Sequence, residues 1–446
     1  MSKRPIGIDL FSGAGGLSLG FEQAGFDVRA AVEIDPIHAA VHKFNFPNCA
    51  VLARSVVGLS AVEIREAANL APEEKVHVVF GGPPCQGFSM IGHRVFDDPR
   101  NRLVLEFVRL VADLDADYFV FENVKGLTVG RHKGFLQELV AAFQKVGYRV
   151  ELPWQVLDAA NYGVPQHRER LILFGARKGL DLPSYPLPVC RPADSLDSSN
   201  LPVGPTVADA IGDLPDADGF TELSDGDSVR TTSYGKLSAY ASEMRASDPA
   251  SWRFGIPRVW DAQLLTSSWR TEHTPISRQR FAQTAPGTTE PISRFYKLDA
   301  EGLSNTLRAG TDGARGAFTS PRPIHFEKDR CVTVREMARL HGFPDWFRLH
   351  WTKWHGARQI GNAVPPPLGR AIAGQVVKAM QHVPDPVRDA ISLGDPSLLF
   401  VQMSAAAQKF GVDAPSMRRD RKSGAKKRSQ AETEAARLQS FTFPSE

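Results

Sequence analysis

Cysteine is scarce in this chain: four stand among 446 residues, at Cys49, Cys85, Cys190 and Cys331, with no Cys-x-x-Cys pair and no metal-ligand spacing. That excludes a disulfide-stapled secreted scaffold and a cysteine-held metal site, and it fits a reducing cytoplasm. Long apolar runs are missing too. No stretch reaches the ~18 residues of a membrane span, and the opening MSKRPIGIDLFSG lacks the layout of a signal peptide. The 37 Gly and 32 Pro follow no fixed period, which excludes a collagen-like or low-complexity chain. A net charge of only +3 with 42% hydrophobic residues excludes disorder for most of the length. The length suits two or three domains.

The small net charge is unevenly placed. Arg230 to Arg335 holds 16 Lys/Arg against ten Asp/Glu, and 13 of the 16 are Arg. Ser404 to Glu446 carries nine basic and five acidic residues. The rest of the chain is therefore acidic, with an Arg-rich segment set into it and a basic end.

Over the first 180 or so residues, short apolar runs alternate with helical patterns. Strands are expected at Ile6–Leu10, Val28–Ile34, His77–Phe80, Tyr118–Phe121 and Leu171–Phe174, and helices at Gly16–Ala24, Pro36–Phe44, Arg102–Leu114 and Lys133–Val146. Strands separated by helices imply crossover connections, hence an α/β fold with a doubly wound, mixed but mostly parallel sheet. From Leu182 to Arg230 the texture turns to Pro, Asp, Ser and Gly, broken by a short helical piece at Thr206–Ile211. An aromatic, Arg-bearing, turn-rich stretch follows to about Pro323, as in a smaller irregular second domain. Helical patterning returns at Thr333–Leu340 and Leu368–Gln381, and the end reads as a disordered basic tail.

Several segments carry chemistry. The first strand runs into Phe11-Ser12-Gly13-Ala14-Gly15-Gly16, a glycine-rich turn before a helix, which brings backbone N–H groups close to a ligand. It is not a dinucleotide fingerprint, because Ser18 stands at the third glycine position. Glu33 and Ile34 end the second strand, where a carboxylate meets the ribose of an adenosine-containing cofactor. Gly81-Gly82-Pro83-Pro84-Cys85-Gln86-Gly87-Phe88-Ser89 sets one thiol on a rigid loop after a buried strand, as a nucleophile requires. Glu122 ends the strand YFVF, placed for proton transfer to a heterocycle. In Gln166-His167-Arg168-Glu169-Arg170, alternation along a strand puts Arg168 and Arg170 on one face. Gln359 to Pro366 reads as a loop ahead of a helix.

In this order the segments DLFSGAGGLSLGF, GGPPCQGFS, ENVKGL, QHRERL and QIGNAVPPPL, with VTVREMARLHGFPD before the last, resemble the DNA (cytosine-5)-methyltransferase family of bacterial type, from about Ile6 to Gln375. The resemblance implies a SAM-dependent methyltransferase fold with a smaller target-recognition domain. It implies that Cys85 is the nucleophile attacking cytosine C6, that Glu122 contacts ring N3 and the exocyclic amine, and that Arg168 and Arg170 support them. Phe11, Ser12, Gly13, Gly15, Gly16, Leu17, Glu33, Ile34, Pro83, Leu103, Asn362, Ala363 and Val364 would hold S-adenosylmethionine, with no metal. Double-stranded DNA is the implied partner of a monomeric cytoplasmic enzyme held at the nucleoid, with a cognate restriction endonuclease as a second candidate partner. The domains expected are 1–181 catalytic, 182–323 target-recognising, 324–385 catalytic again, and 386–446 an extension. The family's usual acidic residue after the third strand is missing from Ala53–Val57, where Ser55 is the nearest polar substitute. Alternatives are the tRNA-methylating branch of the same superfamily and a DNA-binding homologue without catalysis.

Overall fold

The computed structural model describes residues 4–84, 102–129, 132–196, 199–310 and 321–413. Eight strands form the main sheet: β1 (Ile6–Leu10), β2 (Asp27–Val32), β3 (Ala50–Leu52), β4 (Val78–Gly81), β5 (Tyr118–Val124), β6 (Tyr148–Val150), β7 (Gln155–Asp158) and β8 (Glu169–Arg177). Their order is β3-β2-β1-β4-β5-β8-β6, with β7 also on β8. The pairs among β1 to β5 are parallel, whereas β8 runs antiparallel to β5, β6 and β7. The sheet is thus mixed and mostly parallel. IGIDL and VVFG are buried throughout, as suits parallel strands covered on both faces.

The covering helices are α1 (Gly16–Gln23), α2 (Pro36–Asn45), α3 (Ala61–Ala67), α4 (Arg102–Asp113) and α5 (His132–Lys145). Local chemistry starts two of them: Asp35 caps α2 by accepting from Ile37 and His38 N–H ahead of Pro36, and Ser60 with Glu63 forms a capping box on α3. One face of the sheet packs on α4 and α5, where Phe119 and Phe143 stack at 3.7 Å. The other packs on α1, where Phe21 stacks on Phe80 at 3.7 Å.

Beyond the sheet come α6 (Val207–Ile211), α7 (Ala239–Met244), α8 (Pro275–Gln283) and the two-residue strands β9 (Val229–Arg230), β10 (Arg258–Val259) and β11 (Leu264–Leu265). The chain then returns through α9 (Val334–Leu340), α10 (Lys353–Asn362) and α11 (Pro366–Ala379), the last packing along α1. Two expectations change here. Gln359–Asn362 is the last turn of α10 rather than loop, since the Trp-rich stretch before it already begins the helix at Lys353. Part of the expected extension is folded: β12 (Ile391–Ser392) pairs with β10, and α12 (Met403–Lys409) lies against α2. Leu398 and Leu399 join Ala14, Ala40, Val41 and Phe44 in one apolar cluster beneath the glycine-rich turn. The tail beyond 413 lies outside the described residues. Among the described residues, no helix is long and apolar enough to cross a membrane.

The Arg-rich window also reads differently in three dimensions. Arg258 is buried against Glu22 at 2.8 Å, and Arg330 pairs with Glu336 at 2.8 Å and Asp216 at 3.1 Å. Arg335 donates to Thr266 and to the carbonyls of Pro344 and Phe347. Much of that positive charge therefore holds the interior together.

Candidate active site

The segments singled out in the sequence gather at the carboxyl ends of β1, β2, β4 and β5, where open α/β sheets place their ligands. After β1, the Gly13 N–H donates to Glu33 Oε2 at 2.8 Å, while Oε1 of Glu33 accepts from Asp35 N–H at 2.8 Å. Glu33 is thereby fixed at the end of β2 beside the turn. Burial pushes its carboxyl above the ordinary range, against the pull of His38 and the two N–H donors. Ile34 next to it is 63% exposed, an apolar face left open at the sheet end. Ser12 Oγ is buried without a partner among the described residues. An anchored carboxylate, an open apolar side chain and an orphaned hydroxyl fit a nucleoside cofactor: Glu33 for ribose hydroxyls, Ile34 for a base face. Leu17 turns its side chain into the core, and Leu103 sits half-buried on α4. Ser55 Oγ accepts from Val57 N–H at 3.1 Å, and Arg54 pairs with Glu63 at 2.8 Å.

Cys85 lies outside the described residues, but the root of its loop does not. A Cβ at Gly82 would meet Glu122 Oε2, so glycine at residue 82 lets the loop backbone pass close to the carboxylate without displacing it. Asn123 Nδ2 donates to the Pro83 carbonyl at 3.0 Å, pinning the same loop to β5. The sequence pattern contains no sign of this role for Asn123 beyond its place after the glutamate.

Glu122 is buried near the end of β5, and Arg170 Nε lies 2.8 Å from its Oε1. Burial raises the Glu122 carboxyl, while first Arg170 and then Arg168 oppose the rise. Arg168, expected beside it, stands just before β8 with its guanidinium buried, donating to the carbonyls of Leu307 at 2.9 Å and Gly361 at 2.7 Å. The structure thus brings together Glu122, Arg170 and the thiol loop's root, and gives Arg168 a structural grip instead of a contact with the glutamate. Asn362 ends α10, and the Val364 carbonyl abuts Gly16, so the chain's last motif does meet the glycine-rich turn. Among the described residues, no group of His, Cys, Asp or Glu could hold a metal ion.

Residues 7–378 match the profile described as C-5 cytosine-specific DNA methylase. The Type II methyltransferase M.XorII of Xanthomonas oryzae pv. oryzae is 56% identical over 411 residues, 92% of this chain and 93% of that protein. The Type II methyltransferase M1.HphI of Haemophilus parahaemolyticus is 34% identical, over 83% of this chain and 86% of its own length. A prophage-encoded E. coli protein assigned as a DNA modification methyltransferase superposes with a TM-score of 0.67 at 33% identity, covering 85% of this chain and all of that structure.

Proposed function

This chain belongs to the C-5 cytosine-specific DNA methylase family and is a DNA (cytosine-5) methyltransferase; from that premise we propose the residues and steps by which it works. The observation that carries the reading is the meeting of three parts at one sheet end: the Gly82–Pro84 root of the thiol loop, the buried Glu122, and Arg170 holding it. Residues 182–323 would read double-stranded DNA, while 1–181 and 324–385 carry the chemistry.

S-adenosylmethionine, once bound, supplies an electrophilic methyl group; Phe11, Ser12, Gly13, Gly15, Gly16, Leu17, Glu33, Ile34, Pro83, Leu103 and Asn362 to Val364 would hold it. A stacked cytosine is out of reach, so it is flipped into the site at a cost of a few kcal/mol. The Cys85 thiolate adds to C6, forming an S–C6 bond and pushing the π electrons toward C5 and N3. Glu122, whose carboxyl burial raises above its ordinary range, hydrogen-bonds N3 as negative charge builds there. Arg170 orients Glu122 and would be the group that contacts the cytosine O2. C5 would take the methyl as the donor's S–CH3 bond breaks to leave S-adenosylhomocysteine. A base would then remove the C5 proton, its electrons restoring the C5–C6 double bond as the S–C6 electrons return to Cys85 sulfur. Arg168 acts by position.

The relatives named as Type II methyltransferases support a place in restriction-modification, with a cognate endonuclease acting on the same site. A monomer in the cytoplasm, at the nucleoid, completes the reading. Bisulfite sequencing of DNA from cells expressing the chain tests it: 5-methylcytosine should appear in one sequence context. Expression of Cys85→Ala should abolish it. Absence of methylation in every context with the wild-type chain would overturn the proposal.

A further inference from the structure

Between α8 and α9 the segment Ser304–Leu307 runs alongside Pro165–Arg168. Ser304 N–H donates to the Pro165 carbonyl at 2.9 Å, His167 N–H to the Ser304 carbonyl at 3.1 Å, and Thr306 Oγ1 to the His167 carbonyl at 2.7 Å. Asn305, Thr306 and Arg308 face outward from this strip, while Leu307 is buried. Both backbone groups of Leu307 are held by buried side chains. Its N–H donates to Gln166 Oε1 at 2.9 Å, and its carbonyl accepts from Arg168 Nη1 at 2.9 Å.

Each of those side chains continues to the cofactor side. Arg168 Nη2 donates to the Gly361 carbonyl at 2.7 Å. The Gln166 amide nitrogen donates to His341 Nδ1 at 3.0 Å, and His341 Nε2 lies 3.1 Å from the Ala363 carbonyl. The partners fix the tautomer. A carbonyl can only accept, so Nε2 carries the proton and Nδ1 is free to accept from Gln166. Burial and the neighbouring Arg168 hold His341 neutral, which this arrangement requires. The two backbones touch as well: a Cβ at Gly361 would collide with Ala309 N.

We propose that Gln166 and His341 are positioning residues that couple an outward polar strip, Asn305–Arg308, to the Ala363–Val364 segment, so that duplex DNA and the cofactor each strengthen the other's binding. The inference rests on the functional reading above. The Leu307 N–H, the Gln166 amide and both ring nitrogens of His341 are all paired, so the strip and the cofactor segment cannot shift separately without leaving one of these polar groups unsatisfied. Coupling of this kind is reciprocal.

Two variants cut the relay at different bonds. His341→Asn keeps an acceptor for Gln166 and removes the donor to Ala363. His341→Gln keeps a donor toward Ala363 and removes the acceptor for Gln166. The probes are S-adenosylhomocysteine and an unmethylated 30-base-pair duplex bearing the context found by bisulfite sequencing. In the full-length wild type, the saturating product cofactor should tighten duplex binding by about tenfold. In either variant that factor should fall to about threefold or less, the Arg168 bridge remaining. The KM for S-adenosylmethionine should rise about tenfold in H341N and stay near wild type in H341Q, a split that general loosening would not produce. Either variant alone decides the matter: a folded variant with wild-type coupling overturns the relay. A wild type that methylates DNA without any coupling also overturns it, whereas a wild type that methylates nothing overturns the function itself.

Discussion

Glu122 and Arg170 meet across an antiparallel strand pair, Oε1 to Nε at 2.8 Å, although neither stands directly opposite the other. The register sets Glu122 against Ile172 and Arg170 against Val124, so the two are diagonal neighbours on one face. A parallel partner at this place would not bring the start of one strand to the end of the other. The antiparallel entry of β8 into an otherwise parallel region is what delivers the arginine to the acid.

Removal of that arginine should therefore be costly. Arg170→Ala leaves a buried carboxyl without its main counter-charge, a loss on the order of 3–5 kcal/mol when one partner of a buried pair is deleted. The expected result is at least a hundredfold fall in single-turnover methyl transfer. Arg170→Lys should recover only part, because an ammonium cannot reproduce the planar fork. Rates within threefold of wild type for Arg170→Ala would detach Arg170 from Glu122's function.

Glu33 offers a cleaner separation of binding from chemistry. Its two oxygens accept from Gly13 and Asp35 N–H, so Glu33→Ala removes the anchor of the turn as well as a ligand group. Hydrogen bonds to a charged group contribute about 1.5–3 kcal/mol, so KM for S-adenosylmethionine should rise roughly 10- to 100-fold. The kcat at saturating donor should change far less, and isothermal titration with S-adenosylhomocysteine should show the same loss. An unchanged affinity would remove Glu33 from the cofactor site.

What was legible in the sequence follows the range of the interactions. β1, the glycine-rich turn, Glu33 and Glu122 are readable because each depends on residues within one strand–turn–helix unit. The β8 segment is readable as a strand, but its direction depends on β6 and β7, which are too short to show a period. Arg258 looks like free positive charge in the sequence, and only folding shows it buried on Glu22, 236 positions away. His341 meets Gln166 across 175 positions, and no local pattern marks either as a partner. Several arginines of the Arg-rich window are thus held in pairs inside the fold rather than left as free surface charge.

Arg339 gives a stability test of that interior use of arginine. It is fully buried on α9, donating to Asp345 at 2.6 and 2.8 Å and to Asp213 at 3.0 and 3.2 Å. Those bonds tie α9 to the turn after α6; without Arg339, Asp213 would lose its ion pair and Asp345 would keep only Arg335 at 3.8 Å and Arg245 at 4.0 Å. Arg339→Met should destabilise the protein by about 3–5 kcal/mol, read as a lower urea midpoint. The triple variant with Asp213→Asn and Asp345→Asn should regain part of the loss, because the buried charges are then gone. No recovery would mean that packing around Arg339, and not charge, sets the penalty.

Asp9 makes stability depend on pH in a direction opposite to that of most carboxylates. It lies inside β1, where Ser18 Oγ donates to Oδ2 at 2.5 Å, and Ser18 Oγ also sits 3.0 Å from His42 Nε2. Burial pushes its carboxyl from 3.8 to about 8, the Ser18 bond opposing and Glu33 adding to the rise. Between those values the folded chain keeps a proton that the unfolded chain has lost. Stability from this group is therefore complete below about pH 4 and declines as pH rises toward 8, by up to about 1.4 kcal/mol per unit. Asp9→Asn is neutral at every pH and nearly the same shape. It should match the wild type at about pH 4 and exceed it increasingly toward pH 8, measured as the difference in thermal midpoint in matched buffers. A difference that stays constant across that range would show Asp9 ionised in the folded protein throughout.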